Sequence, residues 1–214
     1  MRILALSDTH GLLPNLDVSG VDCIMIAGDI SPPETNIPFL QRSWLENEFC
    51  PWVEALDKPV YLTLGNHDFV DDFKGPKNLR YGTEAIFDGV LLFSWTSGFG
   101  NWAWMTSDYF LGDKLEDLLD CKTRPQIWLT HGPPMGTCDL TADGCHAGSE
   151  SLYDAIMLHQ PQVVICGHIH HSRGRGLLGK TEIHNVSISK DMPIPGKPFT
   201  FDGKPALIDI TDGA

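Results

Sequence analysis

Residues 2–11 read Arg-Ile-Leu-Ala-Leu-Ser-Asp-Thr-His-Gly. A short apolar run of strand length gives way at once to polar, ligating side chains. The pattern recurs along the chain. Cys23–Ala27 runs into Gly28-Asp29, and Val60–Leu64 into Gly-Asn-His-Asp at 65–68. Ile127–Leu129 runs into Thr-His-Gly-Pro-Pro at 130–134, and Val163–Cys166 into Gly-His-Ile-His-His at 167–171. Runs of Ile, Leu and Val without polar alternation mark strands buried on both faces. In open α/β sheets, ligand groups collect at the carboxyl ends of the strands. The runs therefore predict strands whose ends present histidine, aspartate and asparagine to one edge of a sheet.

Helical patterns fall between them. From about Asn36 to Leu56, an apolar stripe takes in Phe39, Leu40, Trp44, Phe49, Trp52, Val53 and Leu56, with Pro38 and Pro51 expected to break it into pieces. Ser107–Leu119 carries a second stripe. Ser149 is placed to cap a third helix ending at His159, just before Pro161. Hairpin signals at Asp88-Gly89, Gly179-Lys180 and Asp202-Gly203 point to a second, less parallel set of strands. Together these predict one α/β domain over residues 1–214, a four-layer α/β/β/α sandwich of two sheets with helices outside.

Composition sets limits on function. The chain has 214 residues, 42% of them hydrophobic, and a formal net charge of −13. Binding of extended nucleic acid is not expected, because phosphate affinity is built from clustered Lys and Arg. No apolar run reaches the roughly 18 residues that span a bilayer, and the apolar run at the N-terminus is short for a signal peptide. The expectation is a cytoplasmic protein with no membrane contact. None of the 6 cysteines makes a C-x-x-C pair, so reduced, buried thiols are expected rather than a zinc knuckle or a disulfide framework.

The ligating side chains at the strand ends are Asp8, His10, Asp29, Asn66, His67, His131, His168 and His170. They offer imidazole, carboxylate and amide oxygen, with no thiolate. That donor set suits Mn²⁺, Fe²⁺ or Zn²⁺. It is also larger than one ion requires, and a pair of ions sharing a carboxylate would use it.

The ordered series D-x-H (Asp8, His10), G-D (Gly28-Asp29), G-N-H-D (65–68), T-H-G-P-P (130–134) and G-H-x-H (167–170) resembles the calcineurin-like metallophosphoesterases. The likeness extends from Met1 to about Val186. T-H-G-P-P-x-G, the G-C-H-A-G-S at 144–149 and Asn101-Trp-Ala are similar to one branch, the small single-domain phosphodiesterases that include the brain-expressed metallophosphoesterase-domain proteins. Some animal members of that branch lack the first histidine of G-H-x-H; this chain keeps it as His168.

The resemblance implies a metal-dependent phosphoesterase with two divalent transition-metal ions, Mn²⁺ first, with Fe, Zn or Ni as alternatives. Asp8, His10 and His170 would hold one ion and Asn66, His131 and His168 the other, with Asp29 between them. A hydroxide bridging the ions would attack a small nucleotide or aryl phosphodiester. Nuclease and phosphomonoesterase activities are the alternatives, and a non-enzymatic interaction scaffold is a further one.

The remaining assignments concern the rim. His67 is the candidate general acid and substrate contact. Asp68 is read either as its orienting carboxylate or as a helix N-cap. Asn101, within the aromatic segment Gly98–Met105, and His146 are candidate substrate contacts, although a loop histidine without a role fits His146 equally. Arg173 and Arg175 are read as solvated charges ahead of an anion site. His171 is left out of the ligand set, because strand alternation would turn it away from His170. Ser7 and Thr9 are read as loop hydrogen-bonders.

Overall fold

Strand β1 (Arg2–Leu6) shows how the core is divided. Leu4 and Leu6 point to one side, into a cluster with Ile24, Leu62 and Phe49. Ile3 and Ala5 point to the other, among Met25, Leu92, Leu129 and Ile165. Period-2 alternation of an all-apolar run thus feeds two separate cores, so neither face can be polar. Each fully buried Leu, Ile or Phe contributes about 1.5–3 kcal/mol.

The computed structural model describes residues 1–35, 37–70, 72–94, 115–119, 125–190 and 201–210. One sheet has the order β11-β1-β2-β3-β4, built from β2 (Cys23–Ala27), β3 (Val60–Thr63), β4 (Leu79–Gly82) and β11 (Ala206–Asp209) around β1. All its pairings are parallel except β1 with β11. The other sheet has the order β5-β6-β7-β8-β10-β9. Its strands are β5 (Glu84–Phe87), β6 (Val90–Phe93), β7 (Ile127–Thr130), β8 (Val163–Cys166), β9 (Gly174–Leu178) and β10 (Thr181–Asn185). Strands β6, β7, β8 and β10 run parallel, with β5 and β9 antiparallel at the edges.

Helices α1 (Pro38–Trp44) and α2 (Cys50–Ala55) cover the first sheet. A helical segment α3, described over 115–119, and α4 (Glu150–His159) cover the second. This is the α/β/β/α sandwich expected. Ser149 caps α4, its Oγ accepting the Leu152 amide at 3.0 Å. No helix among the described residues is long and apolar enough to cross a membrane.

Several expectations need correction. The ligand-bearing strands belong to two sheets: β1, β2 and β3 lie in one, β7 and β8 in the other. Their carboxyl ends meet because the loops after β1 and β10 join. The Ser7 amide donates to the Val186 carbonyl at 3.1 Å, and the Ile188 amide to the Ser7 carbonyl at 3.0 Å. Pro51 does not interrupt its helix. The stretch Leu45–Phe49 before it forms a π-turn, whose wider winding makes room for the proline ring. In the stripe through α1, Phe39 and Leu40 are exposed, and the buried residue is Gln41.

Strand β4 has no strand-like apolar run in the sequence and forms as the parallel edge partner of β3. Two of the hairpins form as expected. In the third, β11 pairs with β1, and Phe201 makes an isolated bridge to Ser189. Residues 198–200, most of the Ser107–Leu119 stripe and the whole Gly98–Met105 segment with Asn101 lie outside the described residues.

Candidate metal centre

The strand ends turn sharply at the ligating residues. Asp8, His10, Asp29 and His168 have φ of 56°, 43°, 53° and 68°, in the left-handed region that costs a non-glycine residue energy. Aspartate tolerates it best, through local hydrogen bonding. Two glycines let the loops approach closely. A side chain at Gly65 would overlap the Asp29 carboxylate and amide, and one at Gly167 would overlap the Ser7 hydroxyl and the Asp8 carboxylate.

The turns gather the side chains into two groups. Asp8, His10 and His170 form one; Asp29, His131 and His168 form the other. Within each, one donor atom from every member lies within 4.8 Å of the others. His170 Nε2 is 3.2 Å from Asp8 Oδ1, and His131 Nε2 is 3.5 Å from Asp29 Oδ1. Asn66 joins the second group, with Oδ1 2.9 Å from His131 Nε2. His131 Nδ1 donates to the Ala27 carbonyl at 2.7 Å. That bond fixes the ring and aims Nε2 at Asn66 and Asp29.

The electrostatics fit cations. Asp8 and Asp29 are 0% and 2% exposed. Among the described residues, neither has a Lys or Arg ion-pair partner. Two buried carboxylates need positive charge nearby, and among the described residues the groups that lower their titration are histidines. Burial pushes the Asp29 carboxyl up, but the charges of His131, His67 and His10 outweigh it and hold it well below the usual range. Burial opposes charge on His131 too, yet Asp29 drives it up to about 9. Burial brings His10 down to about 4, and burial with His131 brings His168 down to about 3. His10 and His168, held neutral beside buried carboxylates, have the donor chemistry of a divalent transition metal.

A model of the family described as calcineurin-like phosphoesterase matches residues 1–172. The chain belongs to the calcineurin-like phosphoesterases. Family membership makes it a metal-dependent phosphohydrolase and implies two divalent ions, for which the two donor groups are candidate sites. Comparison with curated proteins returns no match. Solved structures share the fold at low identity. One chain is 15% identical at a TM-score of 0.64, with 98% of this phosphoesterase and 99% of that chain covered. TT1561 of Thermus thermophilus is 17% identical at 0.53, covering 86% and 88%. GAP50, described as the anchor in the inner membrane complex of Plasmodium, is 13% identical at 0.55, covering 97% and 80%.

The other predicted residues of the phosphoesterase occupy varied settings. His67 is partly buried, its ring 5.3 Å from that of His10, and its amide donates to Asp29 Oδ1 at 2.8 Å. Asp68 neither caps a helix among the described residues nor keeps a carboxylate oxygen for His67 alone. Its oxygens accept the amides of Ile30, Ser31 and Gly65 at 2.9–3.3 Å, stitching the loop after β2 to the loop after β3. Burial, with Asp29 nearby, raises its carboxyl.

His146 is half-exposed and bonds back to its own loop, Nδ1 lying 2.7 Å from Oδ1 of the buried Asp139. Arg173 is exposed and donates to the Lys204 carbonyl; Arg175 is exposed as well. His171 is exposed, although it sits in a 3-10 turn over His170–Ser172 rather than a strand. Ser7 donates to the Ala27 carbonyl at the end of β2 and Thr9 to the Ile30 carbonyl in the loop that follows.

Sequence reasoning missed two residues beside the centre. Asn185, at the end of β10, donates to the carbonyls of Gly167 and Ile169 on either side of His168. Gln41 brackets the His67 loop. Neither has a sequence signal of its own: an amide inside a strand or helix pattern reads as a solvent-facing position.

Proposed function

We propose that the chain is a phosphodiesterase for small nucleotide or aryl phosphodiesters. In this reading Asp8, His10 and His170 hold one ion, Asn66, His131 and His168 hold the second, and Asp29 is shared. The observation that supports it is the setting of Asp29, buried beside His131 in one donor group and close enough to His10 of the other for the two to shift each other's titration. The ions, Mn²⁺ foremost for a nitrogen and oxygen donor set, would supply Lewis acidity toward water and the phosphoryl oxygens.

The protein's own residues then have distinct tasks. His131 keeps its ring fixed through its bond to the Ala27 carbonyl, so that ligand needs no reorganisation at the moment of reaction. His67, carried on the Asn66 loop beside His10, donates a proton to the leaving oxygen. Asp68 acts through the backbone, holding the Asp29 and Gly65 loops together. Asn101 and His146 contact the remainder of the substrate. The preference for a diester rests on charge: a monoester brings a second negative charge, and neither Asp8 nor Asp29 has a Lys or Arg ion-pair partner among the described residues. The net charge of −13 likewise favours a small substrate over a nucleic-acid strand. Free thiols at all five described cysteines accord with a cytoplasmic setting.

The test is an assay of Mn²⁺-loaded protein on matched aryl phosphomonoester, aryl phosphodiester, cyclic nucleotide and single-stranded DNA. The expected ranking puts the small diesters first. Faster turnover of the monoester, or of the DNA strand, would replace this reading; no turnover of any ester would favour a scaffold.

A further inference from the structure

Helix α1 is docked by a polar residue. Ile37, Phe39 and Leu40 are 58%, 75% and 43% exposed, and the buried residue within α1 is Gln41, at 0%. Burying an amide without partners costs several kcal/mol, so its partners define its task. Gln41 Nε2 donates to the His67 carbonyl at 2.8 Å, and Gln41 Oε1 accepts the Phe69 amide at 2.5 Å. The partners fix the orientation: a carbonyl only accepts and an amide N–H only donates, so a flipped side chain would lose both bonds. On the other side, the His67 amide is held by Asp29 Oδ1 at 2.8 Å, and the Asp68 carboxylate is held by three amides. The backbone of His67 is therefore gripped at its N–H by Asp29 and at its carbonyl by Gln41.

We infer that Gln41 is a positioning residue for His67, fixing that side chain over the metal centre through the two bonds it makes to the backbone around it. The inference rests on the proposed participation of His67 in the reaction. It adds a residue from outside the strand-end loops, the one fully buried side chain of α1. A side chain held within about 0.5 Å needs such support, and looseness on the scale of 1 Å costs up to about 100-fold in rate.

A double-mutant cycle with an added exchange measurement tests it. Gln41→Met keeps the shape and removes both bonds; Gln41→Glu keeps the acceptor for Phe69 and removes the donor to His67, and serves if the first variant does not fold. Each is made in the wild-type and His67→Ala backgrounds. The readouts are kcat and KM on bis-para-nitrophenyl phosphate and on an alkyl phosphodiester, bound metal, and hydrogen exchange at the His67 and Phe69 amides.

The expected result is a loss of about 10- to 100-fold in kcat, with metal content unchanged and faster exchange at both amides. In the His67→Ala background the same substitution has little further effect. An equal loss in both backgrounds overturns the inference, as does loss of metal or unchanged kcat. If His67→Ala alone leaves turnover intact, the participation of His67 fails first, and that single variant identifies the failure.

Discussion

Asp29 Oδ1 accepts the backbone amide of His67 at 2.8 Å and lies 3.5 Å from His131 Nε2. One buried oxygen thus joins a candidate ligand of the metal centre to the loop that carries the candidate proton donor. Asp29→Asn separates these tasks, because an amide oxygen still accepts the His67 N–H but brings no charge. The variant should fold with a near-native melting temperature. It should lose metal affinity beyond the roughly 10–100-fold that removing a ligand's hydrogen-bond partner costs. Elemental analysis after dialysis checks it; two ions retained would contradict the shared position of Asp29.

Asp68 holds three amides in a buried place, so its removal should act on the fold before it acts on chemistry. Asp68→Ala should lower unfolding stability by about 3–5 kcal/mol, since buried N–H groups of Ile30, Ser31 and Gly65 lose their acceptor. Asp68→Asn should not rescue it, because one acceptor oxygen becomes an NH₂ facing backbone N–H donors. Urea denaturation measures both, and a change under about 1 kcal/mol would refute this task.

Close approach at Gly167 is a steric condition of the site. Gly167→Ala would drive a methyl group into the Ser7 hydroxyl and the Asp8 carboxylate. Activity and metal content should both collapse. Gly82→Ala, whose methyl would meet Ala85 at an ordinary 3.5 Å, is the control and should retain both. Wild-type metal content in Gly167→Ala would show that the loop has room the geometry does not suggest.

The ligand loops were legible because each follows an apolar run that can only be a buried strand, and because donor residue types concentrate there. Beyond the ordering of these runs, little of the assembly could be read. Assignment of β1–β3 and β7–β8 to different sheets depends on pairings between distant segments, such as β1 with β11. Strand β4, Leu-Arg-Tyr-Gly, owes its conformation to the edge of β3 rather than to its own pattern. Phe39 and Leu40 fit a helical stripe yet face solvent, while the adjacent amide of Gln41 is buried. Periodicity weighs side chains by hydropathy, and a buried polar group is set by the partners it meets in three dimensions. The same holds for Asp68, whose sequence context suggested a cap or a catalytic partner.

In the proposed reading this phosphoesterase works through two ions held by the two donor groups. The most direct measurement titrates metal-free protein with Mn²⁺, following bound metal by elemental analysis and hydrolysis of bis-para-nitrophenyl phosphate in the same samples. The expected result is binding of two equivalents per chain, activity that rises with the second, and loss of activity on chelation. Ca²⁺, which prefers all-oxygen sites, should restore little. Full turnover by metal-free protein, or saturation of both binding and activity by a single equivalent, would contradict it.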